Sequence, residues 1–279
     1  MRAGLKKARG SKNLTGSLIM KTGLFLGSLL LLAAGAAYAA ENPWVGTWKL
    51  DPAQSHLAGD TFTYSKGPGS LLHFSDGVVA YDFGTDGKDY KSAYDRTTTW
   101  TQTGPNSWDS VTTRNGKVLG KAQRTLSADG KTLTIHHTGT RPDGAPFDDQ
   151  DVYTRVTAGA GLLGTWKSVK VGATGGPQTF VISSPAPGVL HYEVPDLQAH
   201  AEGAADGTDH PLAGGNTPEG MTISFKFVTP TQIKYVIKVN GKEDSEGVQT
   251  LAADARSYTD VGWSAGKQNE KQTAVFVRQ

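Results

Sequence analysis

Val45-Gly46-Thr47-Trp48-Lys49 occurs a second time, as Leu163-Gly164-Thr165-Trp166-Lys167. The two tryptophans stand 118 residues apart, which suits a small all-β domain. Each copy leads to a strand-like segment that ends in arginine. Arg155 closes Asp151-Val152-Tyr153-Thr154-Arg155, 107 residues after Trp48, and Arg278 closes Thr273-Ala274-Val275-Phe276-Val277-Arg278, 112 residues after Trp166. The order holds between these ends. Asp86-Gly87 matches Asp206-Gly207, Asn115-Gly116-Lys117 matches Asn240-Gly241-Lys242, and Leu126-Ser127-Ala128-Asp129 matches Leu251-Ala252-Ala253-Asp254. The offset drifts between 118 and 125 as loops lengthen and shorten. Five anchors in one order establish a tandem duplication.

The flanks of the anchors read as strands. Met221-Thr222-Ile223-Ser224-Phe225-Lys226-Phe227 and Ile233-Lys234-Tyr235-Val236-Ile237-Lys238-Val239 alternate apolar and polar residues, the pattern of half-buried antiparallel strands. Asn115-Gly116 and Asn240-Gly241 are hairpin turns, because a type I′ turn needs positive φ at both central residues. Residues after position 41 show no apolar stripe of helical period. Many short strands at regular spacing predict a sandwich or a barrel. Residues 41–157 form the first expected domain and residues 162–279 the second, with a linker over 158–161 in the small-residue run Thr157 to Gly161. Residues 199–220, polar and rich in glycine, are expected to form the longest loop, a candidate lid.

Residues 1–40 hold six of the 28 basic residues and no acidic one. A basic start, an apolar run over Leu24 to Ala37 and the small-residue site Ala37-Tyr38-Ala39 are the features of a secretory signal peptide, whose start could equally be Met20. The run of 14 is too short for a spanning helix, so no stable membrane span is expected after signal removal and the address is periplasmic or secreted. Without this segment 22 Lys and Arg face 26 Asp and Glu, a net charge of −4. That balance argues against a nucleic-acid partner. The absence of cysteine excludes a disulfide framework.

A Gly-x-Trp on the first strand and an arginine on the last resemble the signature of the lipocalin and calycin superfamily. The "GTWKLD-P" opening and the later "S-DGKTLT" resemble lipocalin-like repeats of bacterial secreted proteins. The resemblance covers residues 44–279 and implies two tandem small antiparallel up-and-down β-barrels of about eight strands each. It implies that Trp48 packs against Arg155 and Trp166 against Arg278, each pair closing its own repeat. Neither repeat has the C-terminal helix of large lipocalins or the helical lid of the fatty-acid-binding branch, and avidin-like barrels also open with Gly-Thr-Trp.

A barrel of this size is either filled with side chains or wide enough for one small ligand. The candidate inward residues are Tyr81, Phe83, Trp100 and Trp108 in the first repeat and Phe225, Phe227, Tyr235 and Ile237 in the second. Hollow barrels would make the chain an exported binding protein for a hydrophobic small molecule or lipid. Filled barrels would make it a structural or protein-interaction module. No nucleophile elbow, zinc-protease motif or phosphate loop occurs, so no catalytic residue, cofactor or metal is assigned. His136 and His137 are neighbours on a strand and point to opposite faces, and Asp148, Asp149 and Asp151 read as a solvated loop. His191, His200, Asp209 and His210 surround the 199–220 segment without a ligand spacing. Oligomeric state is not legible.

Overall fold

The structure, a computed structural model, describes residues 42–279; the expected targeting segment lies outside them. The described chain is all-β. It begins with β1 (Gly46–Leu50), β2 (Thr61–Lys66), β3 (Leu72–Ser75), β4 (Ala80–Phe83), β5 (Asp86–Lys91), β6 (Thr97–Gly104) and β7 (Ser107–Arg114). There follow β8 (Lys117–Leu126), β9 (Thr132–Thr140), β10 (Pro146–Arg155), β11 (Gly164–Lys170), β12 (Thr179–Ser183), β13 (Val189–Val194) and β14 (Ala199–Ala204). The last are β15 (Asp206–Pro211), β16 (Ala213–Gly214), β17 (Met221–Thr229), β18 (Gln232–Val239), β19 (Lys242–Leu251), β20 (Ser257–Ser264) and β21 (Gln272–Arg278).

Both asparagine-glycine turns form as their chemistry requires. Asn115 and Gly116 have φ of 48° and 76° between β7 and β8, and Asn240 and Gly241 have 52° and 76° between β18 and β19. Two corrections apply to segments expected as loops. Residues 199–220 carry β14, β15 and β16, whose small polar side chains hide strands at a sheet edge. Asp148, Asp149 and Asp151 lie on β10, where Asp149 accepts hydrogen bonds from Thr174 N at 2.8 Å and Gly175 N at 2.7 Å, and Asp151 from Gly172 N at 2.8 Å.

The strands make two nearly closed antiparallel sheets of ten and eleven strands rather than eight each. Barrel 1 has the order β4-β3-β2-β11-β10-β9-β8-β7-β6-β5. Barrel 2 has the order β15-β17-β18-β19-β20-β21-β1-β12-β13-β14-β16. The extra strands are short pieces at the sheet edges, such as the two-residue β16.

The first strands of the two repeats are exchanged. β1 lies between β21 and β12 of barrel 2, and β11 lies between β10 and β2 of barrel 1. Residues 41–157 and 162–279 are therefore not the two barrels. Barrel 1 is the continuous stretch from β2 to β11, and barrel 2 is built from β12 to β21 with β1 added. The run 158–161 is not an interdomain linker but part of the turn from β10 to β11 within one sheet. The exchange keeps the short connection from β10 to β11 within one sheet and carries the connections from β1 to β2 and from β11 to β12 across to the other.

The tryptophan–arginine pairs exchange with the strands. Arg155 lies over the Trp166 ring at 4.2 Å and Arg278 over the Trp48 ring at 4.1 Å. The expected pairings, Trp48 with Arg155 and Trp166 with Arg278, are thus corrected; the four residues pair, with partners swapped. Each guanidinium also binds three backbone carbonyls, those of Gly130, Gly161 and Leu163 for Arg155 and those of Ala255, Val45 and Pro43 for Arg278. The motif glycine is required by this clamp. A Cβ on Gly46 would sit 2.5 Å from Arg278 Nη1, and one on Gly164 would sit 3.1 Å from Arg155 Nη1.

Polar contacts join the barrels. Glu270 of barrel 2 accepts from Thr61 N and Thr61 Oγ1, each at 2.8 Å, and Lys267 donates to Thr61 O at 2.6 Å. Arg114 of barrel 1 donates to Asn216 O at 2.7 Å.

Candidate functional site

The interiors of the barrels differ, and ladder register shows how. Phe74 faces Tyr64 and Tyr81 as Tyr192 faces Ile182 and Ala201. Trp100 faces Ser110 as Phe225 faces Tyr235, and Trp108 faces Arg124 as Ile233 faces Gln249. At matched places barrel 1 therefore carries Tyr64, Tyr81, Trp100 and Trp108 where barrel 2 carries Ile182, Ala201, Phe225 and Ile233.

The larger set fills barrel 1. Phe83 and Trp100 rings lie 4.3 Å apart, Tyr81 and Phe83 5.9 Å, and Tyr64 and Trp100 6.1 Å. Arg124 lies over the Trp100 ring at 3.9 Å and donates to Ser110 Oγ at 2.7 Å. Tyr81, Phe83, Trp100 and Trp108, candidate ligand-lining residues in the sequence, all belong to or pack against this core.

A cavity of about 870 Å³, lined by Ala201 and Phe225 of the smaller set, opens from barrel 2 against the face of barrel 1; its size is within the usual range for small-molecule sites. Of the sequence candidates, Phe225, Tyr235 and Ile237 line it, and Phe227 packs against the surrounding core instead. Trp48, Tyr258, Ile182 and Ile233 are fully buried and close the barrel without lining the cavity. Arg96, Leu119 and Phe147 of barrel 1 complete the wall.

The walls are mainly apolar, but one polar cluster faces the cavity. Tyr235 donates from its hydroxyl to Asp260 Oδ1 at 3.0 Å, and Gln249 Nε2 donates to Asp260 Oδ2 at 3.1 Å. Tyr192 donates to Gln249 Oε1 at 2.9 Å. Burial raises the Asp260 carboxyl to about 6, against the pull of the two donors. Burial, together with the Asp260 charge, also raises the hydroxyls of Tyr192 and Tyr235 above the usual tyrosine range. The Tyr235 ring reaches Asp260 because its neighbours across the ladder are glycines. A Cβ on Gly247 would lie 2.5 Å from its hydroxyl oxygen, and one on Gly262 2.9 Å. A glycine inside a strand marks such close approach, and this pair was the available sequence signal for the cluster.

Asp260, Gln249 and Tyr192 were missed in the sequence, as were Arg96 and Arg114. Nε of Arg96, and Nε and Nη2 of Arg114, are buried without an acceptor. Burial and then the charge of Arg114 lower the pKa of Arg96. A second groove, of about 730 Å³, is lined about equally by polar and apolar surface and includes His136, Asp148 and Asp149. Its histidine already binds Asp148 at 2.6 Å, and His137 turns to Asp151 at 3.2 Å. His191 pairs with Glu202 at 3.0 Å, and Asp209 with Lys238 at 2.8 Å. No family model matches this sequence, and no curated protein is similar enough to align with it.

Proposed function

We propose that this chain is a lipocalin-like binding protein that holds a hydrophobic small molecule or lipid in barrel 2. The observation that carries the reading is the emptied interior of one repeat beside the filled interior of the other. Barrel 1 has Tyr81 and Trp100 where barrel 2 has Ala201 and Phe225, and these two smaller residues line the cavity. A core without a ligand has no reason to lose that packing, since unfilled volume destabilises a protein. Barrel 1 then has the structural role expected of a side-chain-filled module, and export by a cleaved signal is part of the same proposal.

The test is a titration with Nile red, an apolar dye that brightens on leaving water. Saturable binding is expected, and Ala201→Tyr, which restores the residue type of barrel 1, should weaken it at least about tenfold by occupying the cavity. Ala274→Leu narrows the same cavity from another strand and should act likewise. Thermal midpoints of both variants should stay close to that of the parent protein. Dye binding unaffected by both substitutions would place it elsewhere and defeat the reading.

A further inference from the structure

The geometry points to an organic ammonium group as the head of the ligand, bound to the Asp260 carboxylate with the apolar remainder along the cavity. The inference rests on the reading of barrel 2 as a binding barrel. Asp260 lines an otherwise mainly apolar cavity and is enclosed by protein on its other sides. Its oxygens receive two neutral donors, Tyr235 and Gln249, and no cationic side chain among the described residues bonds to it.

The groups facing it from each packed element are accounted for. Tyr235 comes from β18, Gln249 from β19, Tyr192 from β13 through Gln249, Ala274 from β21, and Tyr258 shares its own strand. All the ionisable ones among these are tyrosines kept protonated by burial. A buried charge without a counter-charge is costly, and a partner cation that enters with the ligand removes that cost. A carboxylate also has lone pairs beyond those two donors, so an ammonium N–H can bind without displacing either. The stacked rings of Tyr192 and Phe225, 4.7 Å apart, and the ring of Phe276 offer π faces in the same cavity. The cations Arg96 and Arg141 belong to barrel 1 and line the cavity too; an anionic head would seek them instead.

The experiment displaces Nile red with octylamine, octanol and octanoate, three molecules with one tail and different heads. At about pH 7.5 the amine is protonated and Asp260 ionised. Octylamine is expected to bind at least about tenfold more tightly than octanol. Asp260→Asn should abolish that advantage, bringing the octylamine-to-octanol affinity ratio to about one. Should the variant fail to fold, the parent protein supplies the same test, because the octylamine advantage should fall about tenfold per pH unit below about 6 as the carboxyl takes up its proton. Equal binding of octylamine and octanol, tighter binding of octanoate, or an advantage that persists in Asp260→Asn or is insensitive to pH overturns the ammonium assignment and leaves barrel 2 a binding site. Failure of all three to displace the dye overturns the binding reading itself.

Discussion

A guanidinium that lies on an indole and binds three carbonyls can be dissected by a double-mutant cycle. Trp48 with Arg278, and Trp166 with Arg155, should each show a coupling energy of about 0.5–2 kcal/mol. The crossed combinations, Trp48 with Arg155 and Trp166 with Arg278, should add within about 0.5 kcal/mol. Each tryptophan is fully buried, so truncation of either to alanine alone should cost about 3–5 kcal/mol. Denaturant titration of the single and double variants measures all of these, and coupling in the crossed pairs would contradict the strand exchange. Asp260 gives a second residue-level prediction. Its carboxyl rises from 3.8 to about 6 on folding, so the folded state keeps a proton that the unfolded chain has already released. Stability should therefore fall as pH rises from about 4 to about 6, by on the order of 3 kcal/mol, and level off above. Asp260→Asn should flatten that slope and melt higher than the parent near pH 7, while the two melt alike near pH 4.

At the scale of strands, the sequence announced most elements and misassigned two of them to their sheets. The asparagine-glycine hairpins and the alternation in β17 and β18 were legible because turn chemistry and side-chain period are local. The places of β1 and β11 were not, because Gly-Thr-Trp-Lys occurs in both and either strand satisfies either arginine. Each arrangement has short connections of its own, β10 to β11 in one and β1 to β2 in the other, so neither local pattern nor loop length tells them apart. Asp260 was hidden for another reason: in Tyr258-Thr259-Asp260-Val261-Gly262 neither face is uniformly apolar, so period alone does not show which side turns inward. The exchange also changes which fragments should fold. A cut near Gly159, which the repeat suggested as a domain boundary, falls inside barrel 1. Residues 59–170 contain every strand of barrel 1 from β2 to β11 and should fold alone, with dispersed amide resonances and a cooperative melt. Residues 171–279 lack β1 and should stay unfolded until a peptide spanning residues 42–57 is supplied. A folded 171–279 fragment without the peptide would show that β1 is dispensable.

For the molecule as a whole, duplication has produced two barrels with opposite interiors. One holds the cation Arg124 among aromatic rings, and the other holds the anion Asp260 beside open space. The candidate site owed its legibility to the same contrast: aromatic residues on the strands were visible in sequence, but packed rings and open walls look alike until the repeats are aligned by register. The exchanged strand has a further consequence for the order of assembly. Of the described strands, ribosomal synthesis delivers β1 first and its neighbour β21, which ends at Arg278, last. Until residue 164 emerges, the vacancy beside β10 is open to β1, whose sequence fits it; β11 then arrives on a short tether and competes for the same seat. The first of the described strands is thus held in reserve, and barrel 2 cannot close before β21 has been made.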